Sequence, residues 1–214
     1  SLILEGNSPK PVYLVITDGK IEIKDAAHLW GKGTIEVEKL LKEQLGEEYQ
    51  IIVIGTGGEN GVAFSSINHD YGRQAGRGGV GTLMGIKKVK AIAIRGTRSV
   101  PVADTSAYRK AGMELFTACK QAEGLKPWQT YGTTIVTSWC DEVGALPTRN
   151  FSAGSFEEGK TLYGPVMREE IVITDKGCFG CPSPCGKYSR SKRYNAYVEG
   201  PEYETIGMLG SNLG

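Results

Sequence analysis

The sequence carries almost no net charge: 25 lysines and arginines stand against 24 aspartates and glutamates, a formal +1. That balance gives no electrostatic footprint for nucleic acid or an anionic membrane surface, and neither is expected as a partner. Long apolar runs are missing too. None approaches the roughly 18 residues of a spanning helix, and no basic segment followed by an apolar stretch opens the chain, so neither secretion nor a membrane anchor is expected. Histidine is scarce; His28 and His69 both lie more than a hundred residues from the densest cysteines. No internal repeat or low-complexity tract is present. The expectation is a cytoplasmic globular chain of one or two domains.

Glycine is what the sequence has in excess: 30 of 214 residues, about 14%, roughly twice the usual share. Such an excess means linkers, or backbone that must come close to something. The first half reads as short strands and turns. Pro11 to Thr17 is apolar and β-branched, Asp18-Gly19 suits a tight turn, and Lys20 to Lys24 alternates apolar and charged, together a hairpin signal. Thr34 is placed to cap a helix to about Leu45, with Ile35, Val37, Leu40 and Leu41 at helical spacing and Gly46 as the stop. Gln50 to Gly55 reads as a buried strand, Gly55 to Gly61 as a positive-φ connection, and Val62 to Ile67 and Val89 to Arg95 as further strands. Past Pro101 the texture changes. Asp104 can cap a long helix to about Ala122 with Ala107, Ala111, Leu115 and Ala118 on one face; a second covers about Thr133 to Val143, and Pro147 to Gly164 reads as ordered loop. The expected fold class is α+β: a β-rich portion over residues 1–100, then a mainly helical portion over 101–214 that carries a cysteine cluster.

Three of the five cysteines crowd into Cys178-Phe-Gly-Cys181-Pro-Ser-Pro-Cys185. A two-residue spacing lets one tight turn aim both thiolates at one centre, and Gly180, Pro182 and Pro184 stiffen that turn. Three neighbouring thiols cannot pair off as disulfides. The other two, Cys119 and Cys140, fall inside expected helices and read as small buried apolar residues. Zinc sites usually show two separated pairs or mixed Cys and His; here the second pair is missing. Four-iron clusters commonly draw three cysteines from a compact run and a fourth from elsewhere. The spacing favours a four-iron cluster over a zinc knuckle, with the fourth ligand unassigned.

The stretch Arg73-Gln-Ala-Gly76-Arg77-Gly78-Gly79-Val-Gly81-Thr-Leu-Met-Gly85 is the densest run of glycine. Glycine-rich turns leave N–H groups free to close on a phosphate, and arginine adds a charged grip. The Gly-Lys-Ser/Thr ending of a Walker loop is absent, and no clear helix with a following acidic residue supports a dinucleotide fingerprint. Two readings stay open: a cofactor cradle or a plain glycine-rich turn.

Taken in order and at their intervals, Arg73 to Gly85, Lys90-Ala-Ile-Ala-Ile-Arg95-Gly96, CFGCPSPCG at 178–186 and Glu199-Gly-Pro-Glu202-Tyr203-Glu204 strongly resemble the aldehyde:ferredoxin oxidoreductase family of tungstopterin enzymes. PVYLVITDGKIEIKDAAHLWGK, IGTGGENGVAFSSINHD and GPEYETIGMLGSNLG agree, so the resemblance spans essentially the whole chain. It implies an internal piece of a longer enzyme: the latter half of a base domain and the start of a helical domain, with the fourth cluster cysteine and further pterin motifs beyond Gly214.

The resemblance also implies roles. Cys178, Cys181 and Cys185 would be three ligands of a 4Fe-4S cluster. Arg73, Gln74, Ala75, Gly76, Arg77, Gly78 and Gly79 would line the phosphates of a tungsten bis-pterin (molybdopterin-type) cofactor, with a backbone carbonyl near Gln74 or Ala75 helping to hold a bridging magnesium. Glu204 would be an active-site general acid/base, its pKa raised by desolvation beside the cofactor, while Glu202 would point elsewhere in an extended segment. Tungsten would be held by pterin sulfurs rather than side chains. The implied substrate is an aldehyde, the implied partner ferredoxin, the setting a cytoplasmic anaerobic one, and the full-length protein a homodimer. A relative reducing aromatic thioesters, a non-catalytic iron–sulfur electron-transfer module and a zinc structural domain are the alternatives.

Overall fold

The computed structural model describes residues 2–214, which fall into two compact units, one ending at Pro101 and the other running Val102–Gly214. The first is built on a six-stranded sheet. Strands β1 (Val12–Thr17) and β2 (Lys20–Asp25) form a hairpin through Asp18 at φ +50° and Gly19 at φ +93°, the left-handed pair that a primed turn requires. Helix α1 (Thr34–Leu45) is followed by β3 (Gln50–Ile54), the one-turn helix α2 (Thr56–Glu59), and the short strands β4 (Ile67–His69) and β5 (Arg73–Ala75). Helix α3 (Val80–Ile86) and strand β6 (Val89–Arg95) complete the unit. The strand order is β2-β1-β6-β3-β4-β5, with β1 and β6 parallel and the other neighbours antiparallel.

The central strands β1 and β6 are largely apolar, β6 broken only by the buried Lys90 before its end at Arg95, because both faces of the sheet are covered. Tyr13, Val15, Ala91 and Ala93 join Leu29 and the α1 residues Val37 and Leu41 in one core. Val12, Leu14 and Ile92 join Ile54 and Met84 of α3 in the other. Fully burying a side chain of this size contributes about 1.5–3 kcal/mol.

Several local expectations are corrected here. Gly33, with no side-chain bond, takes the cap position of α1, and Thr34 is its first helical residue. Val62 to Ser66 is not a strand: Val62 N–H bonds to the Gly57 carbonyl at 2.9 Å and Ser65 N–H to the Val62 carbonyl at 3.0 Å, so those groups are satisfied in turns. The Gly55–Gly61 segment winds into α2, and of its glycines Gly61 alone has positive φ, +73°. The end of the dense glycine run itself forms a helix, α3, without an acidic residue in it.

The second unit opens with α4 (Thr105–Gln121), capped as expected by Asp104, whose carboxylate accepts from Ala107 N–H at 2.9 Å. No residue of α4 is buried: its Ala107–Ala118 stripe is exposed, and Cys119 is only half-buried. Then come α5 (Lys126–Tyr131), a 3-10 turn (Gly132–Ile135), α6 (Val136–Glu142) and α7 (Gly164–Glu170). Strands β7 (Val172–Lys176), β8 (Gly186–Ser191) and β9 (Ala196–Glu199) precede α8 (Tyr203–Ile206), which runs on as a π-helical turn to Ser211. The loop expected over Pro147 to Gly164 is ordered by Asp141: its carboxylate accepts from Phe156 N–H at 2.9 Å and from the Tyr163 hydroxyl at 2.8 Å. The α+β class holds, a sheet-based portion followed by a helix-rich one. The antiparallel sheet β7-β8-β9 is the addition that the helical expectation lacked. Among the described residues no helix is long and apolar enough to cross a membrane.

Candidate functional site

Cys178, Cys181 and Cys185 occupy a single loop between β7 and β8. Cys181 N–H donates to the Cys178 carbonyl at 3.0 Å, the one-turn contact that a two-residue spacing calls for, and Gly180 at φ +71° turns the chain between them. All three are free thiols; Cys178 and Cys181 are exposed and Cys185 is half-buried. They share the loop without converging: among the described residues no three His, Cys, Asp or Glu side chains gather closely enough to hold an ion. The donor chemistry is nevertheless specific. Three thiols and no histidine form a soft set, suited to iron–sulfur or zinc and ill suited to calcium or magnesium.

The exit of this loop is held by a residue that sequence reasoning passed over. Lys187 on β8 is 2% exposed. Its ammonium donates to the Gln129 carbonyl in α5 at 2.8 Å and to the Pro184 carbonyl at 3.0 Å, and it pairs with Asp175 of β7 at 3.0 Å. Arg168 of α7 grips the same carboxylate. Burial pushes the Asp175 carboxyl up, but the hydrogen bonds from Arg168 and Lys187 prevail and hold it below the usual carboxylate range. Gly132, at φ +67°, lies so close to the Cys185 carbonyl that any Cβ there would overlap it. The one signal in the sequence was positional: Lys187 and Ser189 share the inward face of a short strand.

The GPEYE run starts beside this exit, since Gly200 N–H donates to the Lys187 carbonyl at 2.7 Å. It does not continue extended. Thr133 donates its hydroxyl to the Glu202 carboxylate at 2.6 Å and accepts Tyr203 N–H at 2.9 Å, which fixes the start of α8. The Tyr203 hydroxyl donates to the buried Cys140 sulfur at 3.2 Å. Burial first, then that thiol, push the Tyr203 phenol up to about 12. Glu204 sits in the first turn of α8, exposed. Glu202 is therefore spent on structure and Glu204 is left available to solvent or ligand.

In the first unit, Arg73, Gln74 and Ala75 form β5, and Gly76 to Gly79 lead into α3. The glycines here divide by surroundings. A Cβ on Gly76 or Gly78 would meet nothing within 4 Å, and Gln74 to Gly78 are exposed. A Cβ on Gly79, Gly81 or Gly85 would collide with the carbonyl of Ala63, Ser66 or Gly58 respectively. The second group exists so that α3 can lie directly on α2 and its flanking turns. The first group leaves bare backbone next to the exposed Arg77, a composition that suits an anionic ligand.

Two family models match the chain: "Aldehyde ferredoxin oxidoreductase, N-terminal domain" over residues 1–96 and "Aldehyde ferredoxin oxidoreductase, domains 2 & 3" over 110–214. A tungsten-containing aldehyde ferredoxin oxidoreductase of Thermococcus kodakarensis is 41% identical over all of this chain and 36% of its own length. Its counterpart in Pyrococcus abyssi is 42% identical over all of this chain and 35% of its own length. The chain thus spans about a third of the curated relatives it matches. Among solved structures, the active-site complex BamBC of benzoyl coenzyme A reductase aligns with a TM-score of 0.69 at 24% identity, over 97% of this chain and 34% of that one, a likeness of fold.

Proposed function

The chain belongs to the aldehyde ferredoxin oxidoreductase family, and on that premise we propose that it carries part of the cofactor-binding machinery of an enzyme oxidising aldehydes to carboxylic acids. The observation that carries this reading is the loop of three free thiols between β7 and β8 in a chain whose two units both match that family. Aldehyde and water give the acid, two electrons and two protons; the electrons leave one at a time to ferredoxin. When bound, the metal–pterin centre supplies the two-electron oxidation and the 4Fe-4S cluster the one-electron relay.

The chain's own residues have distinct tasks in this scheme. Cys178, Cys181 and Cys185 would hold iron as thiolates. Arg73 and Arg77 neutralise pterin phosphates, and the bare backbone at Gly76 and Gly78 lets the phosphates approach its N–H groups. A backbone carbonyl at Gln74 or Ala75 would offer an oxygen ligand to magnesium, which prefers hard donors. Glu204 takes up and returns a proton at its carboxylate as the substrate is hydrated and oxidised. Its neighbours are anchored: Glu202 accepts from the Thr133 hydroxyl, and Tyr203 donates its N–H to Thr133 and its hydroxyl to Cys140.

The test is anaerobic purification of the native protein with tungsten, iron and acid-labile sulfide analysis, followed by viologen-coupled assays on aldehydes. Tungsten, iron and aldehyde-dependent viologen reduction are expected. A protein with no tungsten that reduces no viologen with any aldehyde contradicts the reading. Glu204→Gln is expected to lower kcat by about 100-fold or more while iron and tungsten contents stay the same.

A further inference from the structure

Two independent contacts fix the backbone at Cys185. Lys187 holds the carbonyl just before it, and Gly132 lies against its own carbonyl. Cys178 and Cys181, exposed on the outer turn, are held only by contacts within the loop itself: Cys181 N–H donates to the Cys178 carbonyl at 3.0 Å and Ser183 N–H to the Cys181 sulfur at 3.5 Å among the bonds of the described residues. The partners of Lys187 come from three places, α5, the cysteine loop and β7, and an ammonium has three donors to satisfy them. A lysine is among the costliest side chains to enclose, so a purely packing role would be met more cheaply by an apolar residue.

We propose that Lys187 is a positioning residue for the iron–sulfur cluster: it pins the loop backbone at Cys185 and places a buried positive charge two residues from that ligand. The proposal rests on the cluster assignment above. Two consequences follow from the chemistry. A ligand held in place before the metal arrives binds it more tightly and releases it more slowly. Reduction adds one electron to the cluster, and a fixed cation nearby in a poorly screened setting favours the reduced form. Lys187 therefore raises the potential, and Asp175, its counter-charge, lowers it.

The experiment uses the full-length protein purified anaerobically, reading iron loss to a chelator and the cluster's midpoint potential by EPR-monitored titration. Lys187→Met is expected to lose iron about ten-fold faster and to shift the potential to more negative values. Lys187→Arg, which keeps the charge, is expected to restore the potential. Asp175→Asn leaves both carbonyl bonds of Lys187 in place and is expected to shift the potential the opposite way, to more positive values. General loosening of the loop would move both variants in one direction, and that result overturns the charge role. Wild-type iron retention and potential in Lys187→Met overturn the proposal entirely. If Lys187→Met gives no soluble protein, Asp175→Asn decides: an unchanged or more negative potential refutes it. A wild-type protein without iron and sulfide removes the cluster assignment itself and this proposal with it, a result distinct from all of these.

Discussion

Each unit encloses one lysine almost completely, and the two differ in what the charge is for. Lys90, 0% exposed on the central strand β6, pairs with Glu59 at the end of α2 and donates to the Lys32 carbonyl at 2.8 Å. Glu59 also accepts Gly31 N–H at 2.8 Å. Burial holds the Lys90 ammonium below the usual lysine range although Glu59 pulls it up. Both members of that pair are sealed, at 0% and 3% exposure, and the groups they tie together are scaffold: a strand, a helical turn and a connecting loop. Lys187 ties scaffold to a loop of exposed thiols instead, and its partner Asp175 remains a third exposed and keeps a second cation, Arg168. The same device joins scaffold to scaffold in one unit and scaffold to the cysteine loop in the other, where the proposal above gives it a second task.

The comparison can be broken most forcefully at Lys90. Lys90→Met strands the Glu59 carboxylate in the interior and is expected to cost about 3–5 kcal/mol, read as early thermal unfolding of the first unit by hydrogen exchange; a loss under about 1 kcal/mol would show the pair to be dispensable. Next in size is the contrast between the two kinds of glycine. Gly85→Ala forces a methyl group onto the Gly58 carbonyl and is expected to destabilise by about 1–3 kcal/mol or more, whereas Gly76→Ala should stay within about 0.5 kcal/mol. Calorimetry of both variants checks it, and equal losses would erase the distinction. Tyr203→Phe deletes the bond to Cys140 and is expected to cost about 1 kcal/mol, with iron content unchanged, measured by chemical denaturation.

The smallest effect is one of pH. The folded Asp175 carboxyl titrates below its unfolded value of 3.8, so its contribution is complete above that pH and disappears as the pH falls through the folded value. Stability curves for the wild type and Asp175→Asn should therefore converge on acidification below about pH 3.8. A gap that stays constant into stronger acid would mean that the carboxylate's charge contributes nothing.

The sequence made the first unit largely legible because its signals are local. The Asp18-Gly19 turn, the apolar β1 and β6 runs and the Gly46 stop each follow from a few adjacent residues. Where packing decides, the reading failed. The glycines at 55–61 read as a connection needing positive φ, which holds for Gly61 alone, whereas Gly58 is there because α3 crosses α2 at backbone contact. The same crossing explains why Gly81 and Gly85 of the glycine run lie inside helix α3. In the second unit, β8 reads Gly-Lys-Tyr-Ser-Arg-Ser and lacks the apolar alternation that marks a strand, so the sheet flanking the cysteines went unseen. The cysteine spacing itself was plain, as was the family resemblance. Lys187 was not, since its meaning depends on Gln129 and Asp175, distant in sequence and brought in by the fold.

The central claim is that the loop after β7 ligates an iron–sulfur cluster. The most direct measurement is the iron, sulfide and zinc content of the anaerobically purified full-length protein, with its EPR spectrum, compared between wild type and Cys181→Ala. The account predicts ~4 iron and ~4 sulfide per wild-type chain, a reducible cluster signal, and loss of that signal in Cys181→Ala. Zinc in place of iron in the wild type, or a cluster spectrum unchanged in Cys181→Ala, would contradict it.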